Sequence, residues 1–253
     1  MFSASTIEYI AIAWTLAAVL LFPILLKVTA PYGRHASNKW GPMIDNRLGW
    51  FLYESPSLII FVTLLLTGGK AFSSPLWVLF SIWTIHYVNR SIIFPLRTRT
   101  KGKKVPVMIV FSAIFFNTIN AGLNGYWLGY VGPDYPESWL TDPRFIIGAI
   151  VFITGFLINQ FADKKLISLR KGGKTGYFIP RGGLFNYISC PNFFGEMVEW
   201  TGFAIMAWNL PALSFAVWTI ANLMPRALSH HKWYKEYFKD YPKNRKAVIP
   251  FLV

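Results

Sequence analysis

Residues 186–213 read NYISCPNFFGEMVEWTGFAIMAWNLPAL, and residues 223–253 read LMPRALSHHKWYKEYFKDYPKNRKAVIPFLV. Apolar runs of membrane-helix length make up much of residues 192–224, and a basic, aromatic tail follows them. Polar or ionisable side chains lie inside these runs or at their ends: Asn192, Glu196, Glu199 and Arg226. Such groups are expensive at membrane depth and by default mark a functional interior. Because a simple membrane anchor would not need them, the stretch predicts a membrane protein with a polar interior.

The composition of the whole chain is that of a polytopic membrane protein. Of its 253 residues, 54% are hydrophobic and only 14% are charged, whereas about a quarter of the residues of a soluble domain are charged. The formal net charge is +14, but the Lys and Arg residues lie in loops between apolar runs. The positive-inside rule explains this excess, so nucleic-acid binding is disfavoured. The single Cys190 excludes an internal disulfide and a cysteine-based metal cluster.

Seven apolar runs predict membrane-spanning helices. They cover residues 6–28, 48–67, 75–96, 105–131, 145–161, 192–208 and 211–224. Run lengths near 20 suit helices and not membrane strands, so the predicted fold is all-α, a single seven-helix membrane domain over residues 1–253. Basic residues concentrate after the first, third and fifth runs and in the tail. The N-terminus is therefore predicted outside and the C-terminus in the cytoplasm.

Two clusters in the first half are candidates for chemistry. Glu54 is either a carboxyl near the interface that reaches the headgroups, or a carboxyl facing the bundle interior and kept neutral by desolvation. Tyr87 and Arg90 are three residues apart and share a helix face. Their pairing would help Tyr87 to give up a proton. The alternative is an aromatic interfacial belt, with Arg90 reaching towards the basic loop that follows.

A third cluster spans the end of the fifth run and the loop after it. Asn159 and Asp163 are four residues apart, and Arg170 shares their face if the helix continues that far. The next segment, LRKGGKTGYFIPRGG, mixes glycines with four cations: Arg170, Lys171, Lys174 and Arg181. Basic, glycine-rich loops suit phosphate oxygens, although a flexible positive-inside loop would look the same. The nucleotide fingerprints of the P-loop and the Rossmann fold are absent.

The last cluster consists of two helical stripes. Arg226, His230 and Tyr234 are spaced by four residues, and Asn192 and Glu196 are spaced likewise with Glu199 following. Polar stripes beside a basic loop predict a pocket open to the cytoplasm, with an anionic soluble molecule at its mouth and an apolar one in the membrane. No histidine has a partner at metal-ligand spacing, so no metal site is predicted.

These motifs resemble the steroid 5α-reductase family, whose relatives include polyprenol reductase and the long-chain enoyl-CoA reductases. The resemblance is strongest in GGLFNYISCPNFFGEMVEW at residues 182–200 and in DYPKNRKAVIPF at residues 240–251. Weaker similarity extends through HYVNRSIIFP, WFLYESPS and PYGRH, so it covers nearly the whole chain except the first run. The type 1 and type 2 steroid enzymes are the most similar branch.

The resemblance implies NADPH-dependent reduction of the 4,5 double bond of a 4-ene-3-oxo steroid. Glu54 and Tyr87 fall where the family binds the 3-oxo oxygen of the substrate. The positions that fall where the family binds NADPH are Asn159, Asp163, Arg170, Tyr177, Asn192, Glu196, Arg226, His230 and Tyr234. Position 178 is Phe where some of these enzymes have Arg, which removes one expected phosphate or ribose contact, although Arg181 is close in sequence. Residues 1–131 are expected to serve mainly the substrate and residues 144–253 mainly the cofactor.

Other functions stay open at this point. The chain could reduce another lipid enone or alkene, such as a polyprenol, a sterol or an enoyl thioester. It could also carry a lipid or organic anion without turnover, or transfer methyl groups from S-adenosylmethionine to carboxyl groups, as a distant membrane relative does. The expected partners are a steroid-like lipid and membrane lipid, with the chain a monomer in the bacterial inner membrane or the endoplasmic reticulum.

Overall fold

The structure is a computed structural model that describes residues 2–100, 102–173 and 175–253. Lys174, one of the predicted phosphate-binding cations, lies outside the described residues. The α-helices in the described part are α1 (Ala4–Lys27), α2 (Asn46–Thr67), α3 (Ser74–Val88), α4 (Phe94–Arg97), α5 (Val107–Tyr126), α6 (Pro143–Ser168), α7 (Pro191–Ala207) and α8 (Leu210–Tyr237). A π-helical turn, Asn89–Ile93, joins α3 and α4 into one rod, and a second, Trp127–Val131, extends α5.

Every predicted run contains a helix, and four of the helices are long and apolar enough to cross a membrane. These four are α1, α2, α6, and α5 with its π-helical extension. The fifth predicted run, residues 145–161, is too short, because α6 continues to Ser168. The last run covers residues 211–224, and the helical spacing of Arg226, His230 and Tyr234 predicted that the helix continues into the tail; α8 does continue, to Tyr237.

Two short strands were not predicted by the all-α interpretation. β1 (Met43–Asp45) and β2 (Lys104–Pro106) pair antiparallel, with Ile44 opposite Val105. Each strand has only three residues, too few for the alternating pattern that identifies strands in a sequence. The pair ties the loop before α2 to the loop before α5, and so fixes the basic loops at one end of the bundle.

Glycines set the distance between α6 and α7. They face each other from the two helices: Gly148 and Gly155 on α6, Gly195 and Gly202 on α7. A Cβ atom at Gly195 would lie 2.5 Å from the backbone nitrogen of Asn159, so no larger residue fits. Small residues allow close backbone approach between membrane helices. This packing brings Asn159 beside the polar stripe of α7.

The asparagines of α5 hold the other helices in place. The Nε1 atom of Trp14 on α1 donates a hydrogen bond to Oδ1 of Asn120 at 3.2 Å. The Nδ2 atom of Asn124 donates to the backbone oxygen of Pro211 on α8 at 3.2 Å. Hydrogen bonds between helices are a normal way to join membrane helices, so these side chains are structural.

Candidate active site

Arg90 is the centre of a buried ionic cluster. Its guanidinium group faces three carboxyl groups from three helices: Glu54 at 3.7 Å, Asp163 at 3.4 Å and Glu196 at 3.4 Å. Arg90 belongs to the π-helical turn Asn89–Ile93, and such turns are frequent at functional sites. The cluster connects α2, the α3–α4 rod, α6 and α7 at a single point.

Aromatic rings and a backbone bond hold Arg90 in this position. Its guanidinium carbon lies 4.8 Å from the ring centre of Trp50 and 5.0 Å from that of Phe94. The Nε1 atom of Trp50 donates a hydrogen bond to the backbone oxygen of Arg90 at 2.9 Å. Arginine suits such a place because its planar group can stack and bind several carboxylates together.

Tyr87 does not pair with Arg90 as the shared helix face suggested. The guanidinium group of Arg90 is occupied by the carboxyl groups, and Tyr87 lies buried among the rings of Trp83, His86 and Trp200. The spacing argument was wrong because a helix face does not say which neighbouring helix supplies the partner. Glu54 does face the bundle interior, where it contacts Arg90. The structure therefore favours this interpretation over a carboxyl group that reaches the lipid headgroups.

A second buried ionic contact lies beside Tyr87. The Nδ1 atom of His86 is 2.6 Å from Oε1 of Glu199, and both side chains are almost fully buried. The other carboxyl oxygen of Glu199 has no hydrogen-bond partner in the described residues. Together with the contact between Arg90 and Glu196, this pair joins the α3–α4 rod to α7 on both sides of Tyr87.

The stripe predicted on α6 is only partly correct. Asn159 donates from Nδ2 to the backbone oxygen of Asn192 at 3.0 Å and to Glu196 at 3.4 Å. Asp163, one turn later, binds Arg90. Arg170 does not continue this face, because α6 ends at Ser168. Its side chain instead reaches the segment that follows, where Nε donates to the backbone oxygen of Gly176 at 3.4 Å.

A basic cavity of about 260 Å³ opens next to Arg90. Seven of the predicted cofactor residues line it: Asp163, Arg170, Tyr177, Asn192, Arg226, His230 and Tyr234. Asn159, Glu196, Glu54 and Tyr87 do not line it, but Asn159 donates to the lining residue Asn192 and Glu196 contacts the lining residue Arg90. The cations that line the cavity are Arg34, Arg90, Arg99, Lys103, Arg170 and Arg226, against a single acidic residue, Asp163. Such a lining favours an anionic ligand.

The stripe Arg226, His230 and Tyr234 is confirmed as one face of α8, and the loop after α1 packs onto it. Arg226 donates to the backbone oxygen of Tyr32 at 2.9 Å, and its guanidinium carbon lies 3.3 Å from the ring centre of Tyr32. Arg34 stacks on Tyr234, with 4.3 Å between guanidinium carbon and ring centre. His35 stacks on His230 with 5.3 Å between the ring centres.

Three buried nitrogen atoms in this region have no hydrogen-bond partner in the described residues: Nη1 of Arg34, Nε2 of His35 and Nε2 of His230. Burial, followed by the positive charges of Arg226 and Arg34, lowers the pKa of His35 to about 4. Buried donors normally find partners. Unpaired nitrogens beside several guanidinium groups therefore fit an anionic ligand with oxygen acceptors.

The sequence did not assign Arg34, Arg99 or Lys103 to the site. Arg34 lies in the PYGRH motif, and the other two lie in the basic loop at residues 97–104. Their positive charge was the only feature of the sequence that could have assigned them to the site. Lys103 donates to the hydroxyl group of the predicted cofactor residue Tyr177 at 3.0 Å. Phe178 lines the cavity, but Arg181 lines a separate one with Lys165 and does not replace the missing cation.

Comparison with known proteins gives consistent matches. A family model described as 3-oxo-5-alpha-steroid 4-dehydrogenase matches residues 103–253. The chain is 45% identical over 229 residues to steroid 5-alpha-reductase DET2 of Gossypium hirsutum, covering 88% of each chain. It is 42% identical to 3-oxo-5-alpha-steroid 4-dehydrogenase 1 of Bos taurus, over 93% of this chain and 92% of the relative. It is 41% identical to the type 2 enzyme of Rattus norvegicus, over 94% of each.

These matches, the membrane-length helices and the buried ionic cluster define a membrane oxidoreductase that acts on CH–CH groups. The chain belongs to the 3-oxo-5-alpha-steroid 4-dehydrogenase family, the steroid 5α-reductases. The resemblance drawn from the sequence motifs is thereby confirmed.

Proposed function

We propose that the protein reduces the 4,5 double bond of 4-ene-3-oxo steroids to 5α-dihydro steroids with NADPH. The observation that carries the proposal is the position of Arg90. On one side it binds Glu54 in the bundle interior, and on the other it lines the basic cavity. A lipid substrate and an anionic cofactor can therefore meet at this residue.

The residues of the cavity fit NADPH. The phosphate groups would be held by cations that have no acidic partner in the described part of the chain, such as Arg34, Arg170 and Arg226, and by the nitrogen of His230 that is unpaired there. The rings of Tyr177 and Tyr234 are covered by Lys103 and Arg34, so these two residues would contribute their hydroxyl groups and hold the cations in place. When bound, NADPH supplies a hydride, while the protein orients the reactants and excludes water.

Glu54 and Tyr87 would bind the 3-oxo oxygen of the steroid. Negative charge grows on this oxygen as the double bond is reduced, and hydrogen bonds from Tyr87 and a protonated Glu54 would stabilise it as an oxyanion hole does. Reduction also needs a proton at the α-carbon, which Tyr87 or water would deliver.

The charge balance of the cluster favours at least one protonated carboxyl group, and we assign this proton to Glu54. Four carboxyl groups, two buried and two half-buried, lie around two basic side chains: Asp163, Glu199, Glu54 and Glu196 around Arg90 and His86. If all four carboxyl groups were ionised, the cluster would carry a net negative charge even with both basic side chains protonated. Uncompensated buried charge is costly, so at least one carboxyl group holds a proton and can donate a hydrogen bond.

The remaining parts of the proposal concern the setting. All seven helical segments would span the membrane as a multi-pass domain, with the N-terminus outside and the C-terminus in the cytoplasm, in the bacterial inner membrane or the endoplasmic reticulum. The first half would serve mainly the steroid and the second half mainly the cofactor, although the cavity also receives Arg34 and Lys103 from the first half. The chain would act as a monomer, without metal or nucleic acid.

A product assay tests the function. Detergent-purified protein is mixed with NADPH and testosterone or progesterone, and the product is compared by chromatography and mass spectrometry with both 5-epimers. The expected product is the 5α-dihydro steroid. Absence of product together with co-purified NADP(H) would move the substrate to another lipid enone, and absence of both would overturn the reductase proposal.

Two variants test the assigned roles. Tyr87→Phe removes a donor and should lower kcat about 10²–10³-fold, the effect of losing one oxyanion-hole donor. Glu54→Gln keeps a donor at the same place and should retain more activity than Tyr87→Phe. Full activity in Tyr87→Phe would remove Tyr87 from the mechanism.

A further inference from the structure

A second cavity, of about 520 Å³, lies at the end of α6 and shares no lining residue with the basic cavity. It is formed by one face of α6, the segment before α7 and the first residue of α7. Its lining residues are Ile158, Phe161, Ala162, Lys165, Arg181, Gly182, Gly183, Leu184, Phe185 and Pro191. The proposed reductase chemistry leaves this cavity without a role.

The cavity is amphipathic. Ile158, Phe161 and Leu184 form an apolar wall, whereas Lys165 and Arg181 supply two cations. Phe161 and Lys165 are four residues apart on α6, so they lie on one helix face. At about 1.5 Å per residue, Lys165 stands about 6 Å beyond Phe161 towards the end of the helix.

The apolar wall continues along the outer surface of the bundle. Ile150, Ile153 and Leu157 follow one another on α6 at helical spacing and are exposed, and Phe161, with 67% of its surface exposed, continues their line. Because α6 is long and apolar enough to cross a membrane, this stripe suits acyl chains. Lys165 lies near the end of the helix, where the lipid headgroups are expected.

The two cations have no carboxylate partner in the described ion pairs. Asp163, the acidic residue that is nearest to Lys165 in sequence, binds Arg90. The backbone beside Arg181 is open, because Gly182 and Gly183 have φ angles of 93° and 55° and nothing lies within 4 Å of a Cβ atom built on either. The backbone nitrogen of Gly182 already donates to Oδ1 of Asn186 at 2.8 Å. A negatively charged headgroup would therefore be bound by the two cations, with open space beside Arg181 to receive it.

We propose that this cavity binds an anionic phospholipid of the surrounding leaflet. Its phosphate contacts Lys165 and Arg181, and an acyl chain lies on Ile158 and Phe161. A soluble phosphate would use only the cations and would leave the apolar wall in contact with water. A zwitterionic lipid would match the wall, but its own cation would oppose Lys165 and Arg181.

Lipid binding to the full-length, delipidated protein tests the site. Phosphatidylglycerol and phosphatidylcholine with identical chains are titrated, and bound lipid is counted by native mass spectrometry. We expect about 30-fold tighter binding of phosphatidylglycerol, the ratio for two cations near a membrane surface. The variant Lys165→Gln/Arg181→Gln should lose this preference. The control Lys235→Gln/Lys239→Gln removes two exposed cations elsewhere and should keep it.

Two further arms identify the ligand and its place. Inorganic phosphate should not compete with phosphatidylglycerol at the same concentration. A phosphatidylglycerol with a photoreactive acyl chain should label the α6 peptide that contains Ile158 and Phe161. Equal affinity for both lipids, equal loss of preference in the control, competition by phosphate, or labelling of other peptides only would each overturn the proposal.

Discussion

Arg90 connects stability and chemistry at the scale of single residues. One guanidinium group holds carboxyl groups from three helices, and the same group lines the cavity assigned to the cofactor. Removing a partner from a buried ionic group leaves uncompensated charge. Substituting one member of the cluster is therefore expected to destabilise the others. The position and charge of the Glu54 side chain should depend on Arg90 even where no substrate is bound.

The pair His86 and Glu199 allows a direct test of such dependence. Each of the single variants His86→Leu and Glu199→Leu leaves a buried polar group without its partner, which costs about 1–3 kcal/mol. The double variant removes both groups, so its loss should be smaller than the sum of the single losses. A double-mutant cycle of thermal unfolding should give a coupling energy of about 0.5–3 kcal/mol.

The same cycle on Trp14→Phe and Asn120→Leu provides a comparison, because these residues form a neutral hydrogen bond between α1 and α5. Its coupling should be smaller, as expected for a bond without charge. Strict additivity at His86 and Glu199 would show that their contact contributes nothing to the fold.

His35 predicts a pH dependence of stability. Burial and the nearby Arg226 and Arg34 lower its pKa to about 4 in the folded protein, from a usual value of 6.5. The unfolded chain therefore binds more protons between these values, so stability is present above pH 6.5 and is lost as the pH falls towards 4.

The variant His35→Gln removes this titration. Its melting temperature should fall less steeply than that of the unchanged protein between pH 6.5 and 4. The measurement is a series of thermal unfolding curves from pH 7.5 to 4. Parallel pH profiles for the two proteins would mean that His35 titrates alike in the folded and unfolded states.

The contact between α6 and α7 carries the next prediction, at the scale of elements. A Cβ atom at Gly155 would strike the backbone of α7 at Glu199 and Gly195. Gly155→Ala should therefore push the helices apart and lower the melting temperature, with a loss of about 1–3 kcal/mol typical of overpacking. Activity should fall as well, because the same contact places Asn159 beside Glu196.

Gly122→Ala is the matched control. Gly122 also lies in a helix, but nothing lies within 4 Å of the added Cβ atom. Alanine has the higher helix propensity, so this variant should be as stable as the unchanged protein or more stable. Similar losses in both variants would show that Gly155 does not act through the contact with α7.

Local sequence patterns predicted the helices better than they predicted which side chains contact one another. Apolar runs identified a helix in each predicted segment, and the spacing of Arg226, His230 and Tyr234 correctly gave one face of α8. The same reasoning did not extend to Arg170, whose place on the face of Asn159 and Asp163 depended on the helix continuing: α6 ends at Ser168, shortly before Gly172 and Gly173. It also failed for Tyr87 and Arg90, because the π-helical turn and the choice of facing helix depend on packing.

At the scale of the whole molecule, the site joins distant parts of the chain. Arg34 lies between α1 and α2, yet it donates to the hydroxyl group of Tyr234 at 3.3 Å near the end of α8. Arg99 donates to the backbone oxygen of Arg170 at 3.1 Å. Charge patterning located the basic loops but not these contacts, because long-range packing chooses which loops meet. The resemblance to a family supplied the roles that spacing alone left open.

The gathering of the basic loops at one end leads to the prediction for the membrane topology. If all seven helical segments span the membrane, the loop after α2 and the loop after α4 lie on opposite sides. Only the α3–α4 rod separates them, and this rod is not among the four helices that meet the criteria for a membrane span. Cysteines at two exposed positions, Ala71→Cys and Lys104→Cys, therefore test the spanning of the rod directly.

The single native cysteine is first removed as Cys190→Ala, which is feasible because Cys190 is buried and forms no disulfide. With a membrane-impermeant maleimide on intact cells of a bacterial host, Ala71→Cys should be labelled at once and Lys104→Cys only after permeabilisation. The side assigned to each loop follows from the positive-inside rule, since the loop at Lys104 is strongly basic and is therefore expected in the cytoplasm. Equal labelling of both positions would place the rod on one side of the membrane. The polar residues of the rod, Arg90 among them, would then line a surface groove instead of a membrane-embedded site.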